Sequence, residues 1–277
     1  MVRFLLDSGA HTIYMKHASN LVGENKFKFY DSKEFYSFMD NYAEFIKKNN
    51  EYIDTFVTLD AINNPKKTFL IQEYFEKEHN LRPLPVVHCG ADPKYVGKYI
   101  DKGYDYIGIG GLAQGANREE YIHWITDIFQ TYICDNNGYP KIKTHGFAVT
   151  SFDLLLNFPW YSVDSTTWLN GSKFGYVFIP KKKNGKFIFD EQGISLFISD
   201  RSSYKKYEGK HLDNLSKQEQ NIVLEYLESI GLDIEKVKSN STYSCLINLN
   251  YFNEIEKGMG NFKDKQLVIK KEKGFFR

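Results

Sequence analysis

The sequence predicts an α/β protein of the (β/α)₈ TIM-type barrel class. Short apolar strands alternate with amphipathic helices, which indicates a parallel sheet whose strands are joined by helices. Six such units follow one another, and no Rossmann-type glycine signature follows the first strand. Polar residues stand at the strand ends, where a barrel gathers its functional groups at one mouth. We therefore expect a barrel with its site at the carboxyl ends of the strands.

The elements of these six units can be placed in order. The segment 32–49 carries apolar residues at Phe35, Met39, Tyr42 and Ile46, which is the spacing of one helical face. Short apolar runs between such segments predict buried strands. Strands are predicted at 2–6, 52–59, 84–87, 104–109, 141–144 and 161–163, and helices at 32–49, 65–79, 93–102, 118–132 and from 151 to the break at Pro159.

The alternation stops after Trp168. Segments 174–180 and 186–189, joined by the basic run 181–185, are predicted to form a hairpin, and 195–199 a further strand. Ser216 and Glu219 form a capping box that predicts a helix over 216–230. A last helix is expected over 246–258. Residues 1–277 are thus interpreted as a single domain: 1–180 form the core units, and 181–277 supply the hairpin, the closing elements and a small C-terminal helical appendage. Strands seven and eight, and with them the regularity of the last two units, are not assigned.

Composition restricts the function only partly. Lys+Arg 36 against Asp+Glu 35 gives a net charge of +1, which excludes a strongly basic nucleic-acid coat protein but allows a local basic face. The three cysteines, Cys89, Cys134 and Cys245, form no Cys-x-x-Cys pair, so neither a structural zinc site nor another metal or cofactor is expected. The short apolar start, unlike a signal peptide, and the absence of an apolar run of about 18 residues favour a cytoplasmic protein without a membrane partner.

Two carboxylates at the predicted rim suggest exchange at a glycosidic carbon. Asp164, after the strand at 161–163, is the proposed nucleophile, and Asp7, after the first strand, is the proposed general acid or base. Each has a structural alternative. Asp7 could bond the backbone amides of its own Asp-Ser-Gly turn, and Asp164 could cap the turn that follows it.

Three further strand ends suggest recognition of a purine. Asp60 offers two acceptors side by side for N1–H and an exocyclic amine, although it could instead cap the next helix. His88 could donate to a carbonyl oxygen such as O6, or be a satisfied structural group. Gly110 and Gly111 expose backbone amides, but without the lysine of a P-loop. Cys89 is treated as an inert buried thiol rather than a nucleophile.

In this order the motifs resemble the tRNA-guanine transglycosylase superfamily, particularly its DpdA-like phage and bacterial branch, which acts on DNA. Asp7-Ser8-Gly9 is similar to the family's Asp-Ser-Gly-Gly loop, and residues 110–115 to its Gly-Gly-Leu-Ala-x-Gly. The resemblance covers roughly residues 4–179. It implies a barrel in which Asp7 is the general acid/base, Asp164 the nucleophile, and Asp60 with Gly110 and Gly111 the base-binding groups.

Several positions depart from the family. Ala10-His11 replaces a Gly-aromatic pair, so that His11 would stack on the base. Ser8, in the same loop, is a further predicted base contact. His88 replaces a Gln, and His145 replaces a Met under the base. The zinc module Cys-x-Cys-x-x-Cys…His of the tRNA enzymes is absent from this sequence. That difference favours DNA over tRNA as the polymer.

The resulting prediction is a pentosyltransferase that replaces guanine in DNA with a free 7-deazaguanine such as a preQ0-like base. The alternatives are a zinc-less tRNA-guanine transglycosylase (queuine tRNA-ribosyltransferase-like) and, from another class, a non-catalytic nucleic-acid-binding barrel subunit. Five basic residues could contact the phosphates of the polymer. The alternative interpretation is that they belong to a solvated hairpin tip. These residues are Lys173, Lys181, Lys182, Lys183 and Lys186.

Overall fold

The computed structural model describes residues 4–21, 27–111, 118–149, 151–200, 202–207 and 209–269. The chain divides into two compact units. Unit 1 comprises Met1–Val149, Phe158–Asp164 and Gln266–Arg277, and unit 2 comprises Thr150–Asn157 and Ser165–Lys265. The interpretation of residues 1–277 as one domain stays a prediction.

The strands of unit 1 are all parallel and follow the chain order. Strands β1 and β2 form one pair, and β3 to β6 form a four-stranded sheet. A parallel bridge between Val57 and Leu84 continues the ladder from β2 towards β3. The mixed α/β class with parallel strands is therefore confirmed, whereas no ladder that closes the sheet occurs among the described residues. The strands are β1 (Leu5–Leu6), β2 (Thr55–Phe56), β3 (Val86–His88), β4 (Tyr106–Gly110), β5 (Lys143–Gly146) and β6 (Ser162–Val163).

The helices of unit 1 begin where the sequence supplies caps. The Ser32 hydroxyl accepts the Phe35 N–H at the start of α2, and the Asn64 side chain accepts the Lys67 N–H at the start of α3. Pro65 occupies the first turn of α3, where its missing N–H costs no helical hydrogen bond. The helices are α1 (Ala10–His17), α2 (Lys33–Lys48), α3 (Pro65–His79), α4 (Lys94–Asp101) and α5 (Arg118–Ile128), and a π-helical turn, Phe129–Ile133, follows α5.

Two apolar clusters hold unit 1 together. One lies among the first three helices and includes Phe35, Met39 and Phe75, each at most 1% exposed. The other joins Val57, Leu84 and Val86 with the partly buried Leu5, Tyr106 and Phe147. The second cluster thus joins side chains from successive strands of the parallel array.

Unit 2 combines antiparallel strands with helices. Strand β7 (Tyr176–Ile179) pairs with β10 (Ile194–Phe197), and β8 (Lys181–Lys183) pairs with β9 (Lys186–Ile188). Buried Asn248 joins the last helix to β7, because its side chain accepts the Phe178 N–H at 2.8 Å. The helices are α6 (Phe152–Asn157), α7 (Thr167–Phe174), α8 (Lys217–Ser229), α9 (Ile234–Ser239) and α10 (Ser241–Met259).

The hairpin prediction was wrong in its first arm. The segment 176–179 pairs with β10, and the basic residues 181–183 themselves form the first arm. The cause is the Asn184-Gly185 dipeptide, whose residues both have positive φ (48° and 78°) and make a two-residue turn between Lys183 and Lys186.

Three helices were not predicted, and the range predicted for a fourth was too short. Helix α1 occupies a stretch for which no element was predicted, α7 and α9 were not expected, and α10 begins five residues before the expected 246. Short or weakly amphipathic helices of this kind depend on packing rather than on local pattern. None of the helices in the described ranges has the length and apolar character needed to cross a membrane.

Candidate functional site

Unit 1 places the predicted chemical groups at the carboxyl ends of its strands. Asp7, Asp60 and Asp164 follow β1, β2 and β6 by one to four residues, and His88 ends β3. Because the strands are parallel, their carboxyl ends lie along the same edge of the array. The sequence therefore identified the edge correctly, and the side-chain contacts decide what each group can do.

Asp164 is held by the turn that follows β5. Its Oδ1 atom accepts the backbone N–H of Ala148 at 2.8 Å. The Nε2 atom of His145 lies 3.7 Å from the same oxygen. Ala148 has a φ of 57°, a left-handed conformation that costs a non-glycine residue about 1–2 kcal/mol. The strained turn thus directs a donor at the carboxylate.

The surroundings of Asp164 favour its charged form. Burial alone would raise its pKa, but His145 and the Ala148 N–H lower the pKa below its usual value. The carboxylate is nevertheless exposed at the rim. The Asp164 side chain accepts the N–H of Ala148, which lies in the turn before it in the chain. In the turn after Asp164, the Thr167 N–H is accepted by the Ser165 side chain. These contacts do not support the alternative in which Asp164 caps the turn that follows it.

Asp7 has the opposite tendency. Burial raises the pKa of Asp7, the backbone N–H groups of Ser8 and Gly9 lower it, and the charges of Asp60 and Asp164 raise it further, with a net rise. Its carboxyl therefore does interact with its own turn, as the structural alternative held, but it is also within electrostatic reach of the other two carboxylates. A carboxyl group with a raised pKa suits transfer of a proton.

Asp60 and His88 are bound to each other. The Nε2 atom of His88 lies 2.6 Å from Asp60 Oδ2, and Asp60 is 6% exposed. Burial alone would lower the pKa of His88, but the Asp60 carboxylate raises it overall. The N-cap of α3 is Asn64, so the alternative of Asp60 as that cap is wrong. The two predicted base contacts form one hydrogen-bonded pair rather than two independent groups.

The two glycines after β4 have packing reasons for being glycine. A Cβ at Gly110 would stand 2.9 Å from the Cε1 and Nδ1 atoms of His88. Gly111 has a φ of +85°, and a Cβ there would stand 2.9 Å from the Cys89 backbone nitrogen. Both glycines therefore let the end of β4 approach the end of β3 closely. The rest of the Gly-Gly-Leu-Ala-x-Gly motif, residues 112–115, lies outside the described residues.

His145 is part of a polar series that sequence reasoning did not find. Its Nδ1 atom lies 2.7 Å from the Ser162 hydroxyl, which lies 2.7 Å from the Tyr106 hydroxyl. His145 is 3% exposed, and its ring packs edge-on against Phe147 with centroids 4.5 Å apart. In the register, Gly108 pairs with His145 and His145 pairs with Ser162. Alternation along β4, with Tyr106 two residues before Gly108, could have placed these side chains on one face.

No protein-family model matches the chain, and no curated protein is significantly similar to it.

The remaining predicted base contacts lie near the first turn of unit 1. The Ser8 hydroxyl accepts the Ala10 N–H at 3.3 Å, which makes Ser8 a turn residue at the start of α1. His11 lies on the first turn of α1 and is exposed. The structure thus leaves the stacking role of His11 as a prediction.

The predicted phosphate-binding lysines belong to unit 2, and three of them contact acids. Lys181 Nζ lies 3.2 Å from Glu191, which also pairs with Lys183. Lys182 pairs with Glu225. Lys173 and Lys186 are exposed. Much of the basic charge at the hairpin is therefore neutralised within the chain.

A cavity of about 340 Å³ borders His88. It is lined by the segment after β2, the start of α3, β3 with the segment that follows it, and α4; its lining includes Asn63, Cys89 and Tyr95. Burial raises the pKa of the Cys89 thiol, and the Glu120 charge raises it further, so Cys89 is a poor nucleophile at neutral pH.

In the described residues, no three His, Cys, Asp or Glu side chains are grouped to hold a metal ion.

Proposed function

We propose that this protein is a base-exchange transglycosylase that replaces guanine in DNA with a 7-deazaguanine. The observation that carries the proposal is the placement of Asp7, Asp60 and Asp164 just after three parallel strands, at one edge of the array, where Asp60 and Asp164 both raise the pKa of Asp7. Their environments separate them in function: the pKa of Asp164 is lowered and that of Asp7 is raised. A carboxylate whose charged form is favoured, next to one whose charged form is disfavoured, is the pairing that glycosidic exchange uses.

The same observation supports a barrel. Asp7 follows the first strand of the array and Asp164 the sixth, and five strand spacings in a flat sheet would separate them by about 24 Å. Charges that far apart are screened, since the Debye length is about 8 Å at physiological salt. An array that curves so that its first and sixth strands approach each other, as in a (β/α)₈ barrel, accounts for this interaction. We include that fold in the proposal.

In the first half of the reaction, Asp164 attacks C1′ of a deoxyguanosine. A bond forms between the carboxylate oxygen and C1′, and the C1′–N9 bond breaks with its electron pair passing to the guanine. Asp7 supplies the proton that neutralises the departing base. The products of this step are a covalent Asp164–deoxyribosyl ester, free guanine and an ionised Asp7.

The second half reverses these steps with a different base. Ionised Asp7 takes the N9 proton of the incoming 7-deazaguanine, and N9 attacks C1′. The ester bond breaks and its electron pair returns to Asp164. No atom changes its oxidation state in either half, so the exchange requires no redox cofactor, and the proposal includes no metal. A preQ0-like base is the proposed donor.

The Asp60–His88 pair is proposed to recognise the base. The Nε2–H of His88 donates to Asp60 and orients the carboxylate, while the remaining lone pairs of Asp60 accept from the purine N1–H and amine. Gly110 and Gly111 keep the end of β4 close to this pair. Recognition thus depends on one ion pair that must form before the base binds.

A duplex substrate must present its guanine outside the stack, because C1′ and the base edge are inaccessible within it. Extrusion costs a few kcal/mol, and binding of the polymer requires contacts to its phosphates. Lys173 and Lys186 are the proposed contacts, since both are exposed while Lys181, Lys182 and Lys183 pair with acids. This set is smaller than the one expected from sequence.

The test is to incubate the protein with duplex DNA, single-stranded DNA or tRNA and radiolabelled guanine. We expect label to enter DNA. Label in tRNA alone would contradict the choice of DNA and favour a zinc-less tRNA enzyme. No label in any polymer, with retained nucleic-acid binding, would favour the non-catalytic subunit.

A covalent adduct identifies the nucleophile. In the absence of an incoming base, the wild-type protein should form a covalent adduct with DNA, which a denaturing gel shows as a shifted band. Asp164→Ala should abolish this band. The matched control is Asp135→Ala, since Asp135 is another turn carboxylate of unit 1 that accepts backbone N–H groups, from Asn137 and Tyr139. An adduct of Asp164→Ala at the wild-type yield would remove Asp164 from the role.

A further inference from the structure

A line of hydrogen-bonding groups crosses three neighbouring strands and ends at Asp164. Tyr106 on β4 contacts Ser162 on β6, and Ser162 contacts the Nδ1 atom of His145 on β5, both at 2.7 Å. The other ring nitrogen of His145 lies 3.7 Å from Asp164 Oδ1. Among the described residues, that nitrogen is buried and has no hydrogen-bond partner. A buried donor without a partner costs about 1–3 kcal/mol, so its presence beside a carboxylate calls for a reason.

The two hydroxyls let His145 present an N–H to Asp164 in either protonation state. Burial raises the pKa of Tyr106, so its hydroxyl keeps its proton at neutral pH. When Tyr106 donates to Ser162 and Ser162 donates to Nδ1, the imidazole is neutral and its proton resides on Nε2. When the imidazole is protonated, both hydroxyls rotate and Nδ1–H donates to Ser162. In both arrangements Nε2 carries a hydrogen, and Asp164 Oδ1 lies 3.7 Å from it.

We propose that His145 is a positioning residue for Asp164, holding the Oδ1 atom together with the Ala148 N–H so that Oδ2 is the oxygen that attacks C1′. This inference rests on the proposed function for its chemistry. It gives His145 a polar role at Asp164, in place of the position under the base that the family resemblance implies. Ser162 and Tyr106 act through His145, because they fix the orientation of its ring.

Other titratable groups around this pair set the conditions of the test. Asp7 interacts electrostatically with Asp164, and Asp60 interacts with Asp7. Tyr106 packs edge-on against Tyr161, and the Lys143 ammonium lies 4.8 Å from the Tyr161 ring centre. Measurements must therefore compare variants that leave these groups in place.

The first experiment needs no substrate. Carboxyl carbons of ¹³C-labelled aspartate are followed by NMR from acid to neutral pH, and the Asp164 resonance is assigned by its loss in Asp164→Asn. In His145→Met the Asp164 carboxylate should titrate at higher pH than in the wild type, because the imidazole no longer favours the charge. Ser162→Ala should shift it in the same direction by less, and it serves as the second variant if His145→Met fails to fold. An unchanged titration in a folded variant would overturn the inference.

The second experiment measures formation of the DNA adduct in a single turnover across the pH range. His145→Met should slow the step about 10-fold, which corresponds to about 1.4 kcal/mol, and should move its acid limb to higher pH. The affinity for DNA should stay within about threefold of the wild type. The control is His79→Gln, since His79 pairs with Asp40 away from the strand ends.

The two experiments separate the possible failures. Wild-type rates and an unshifted acid limb in His145→Met, with an active wild type, would overturn the positioning role and leave the proposed function intact. A shifted Asp164 titration in a wild-type protein that forms no adduct would support the His145–Asp164 pairing and contradict the proposed function.

Discussion

Replacing Asp60 by Asn tests the ion pair at the centre of the proposed base site. The change keeps the shape of the side chain and removes its charge, leaving His88 beside a neutral amide. The contact is 2.6 Å long, and both side chains are less than a third exposed, at 7% for Asp60 and 24% for His88. A hydrogen bond to a charged group contributes about 1.5–3 kcal/mol, so Asp60→Asn should lower the free energy of unfolding by about 2 kcal/mol at pH 6.

The pH dependence gives this prediction its sign. The folded-state pKa of His88 is raised above its unfolded value of about 6.5. The stabilisation is therefore fully present below about pH 6.5 and is lost as the pH rises through the raised pKa of the folded protein. The wild type should lose stability over this range, whereas Asp60→Asn should lose less because its imidazole lacks the carboxylate.

Urea unfolding at several pH values between 5 and 9, followed by tryptophan fluorescence, measures both effects. His88→Gln is the matched variant, since a glutamine keeps an N–H donor for Asp60 but cannot titrate. It should retain wild-type stability at the alkaline end and fall below it at the acid end. The reasoning would be refuted if the free energy of unfolding of the wild type, Asp60→Asn and His88→Gln changed by the same amount between pH 5 and 9.

Three further predictions follow from local geometry. Ala148→Gly should raise the free energy of unfolding by about 1 kcal/mol in urea titrations, because glycine adopts the φ of 57° without strain; a loss of stability would contradict the left-handed turn. Gly110→Ala should cost about 1–3 kcal/mol and weaken binding of free guanine in calorimetry, since its Cβ meets the imidazole of His88; wild-type binding would show that the ring is not needed there. Lys173→Ala with Lys186→Ala should reduce the salt slope of log K for DNA by about 2, and an unchanged slope would exclude phosphate contacts by these lysines.

The sequence by itself determined the parallel α/β pattern and the edge that carries the polar residues. Apolar runs separated by amphipathic helices predicted the six strands, and α3 was placed at its observed bounds because Asn64 and Pro65 mark its start. Asp7, Asp60, His88 and Asp164 were found because strand ends are visible as the point where an apolar run meets a polar residue. These signals are local, and local pattern suffices to read them.

Only the tertiary structure decided how these residues act on one another. The pairing of Asp60 with His88, the direction of the Ala148 N–H and the series from Tyr106 to Asp164 each join residues on different strands or loops. The register of the sheet, which no single segment encodes, places Ser162 beside His145. Likewise, Glu191 and Glu225 neutralise lysines whose charge looked free in the sequence. Residue types thus predicted which polar groups stand at the strand ends, and packing decided their partners and their electrostatic surroundings.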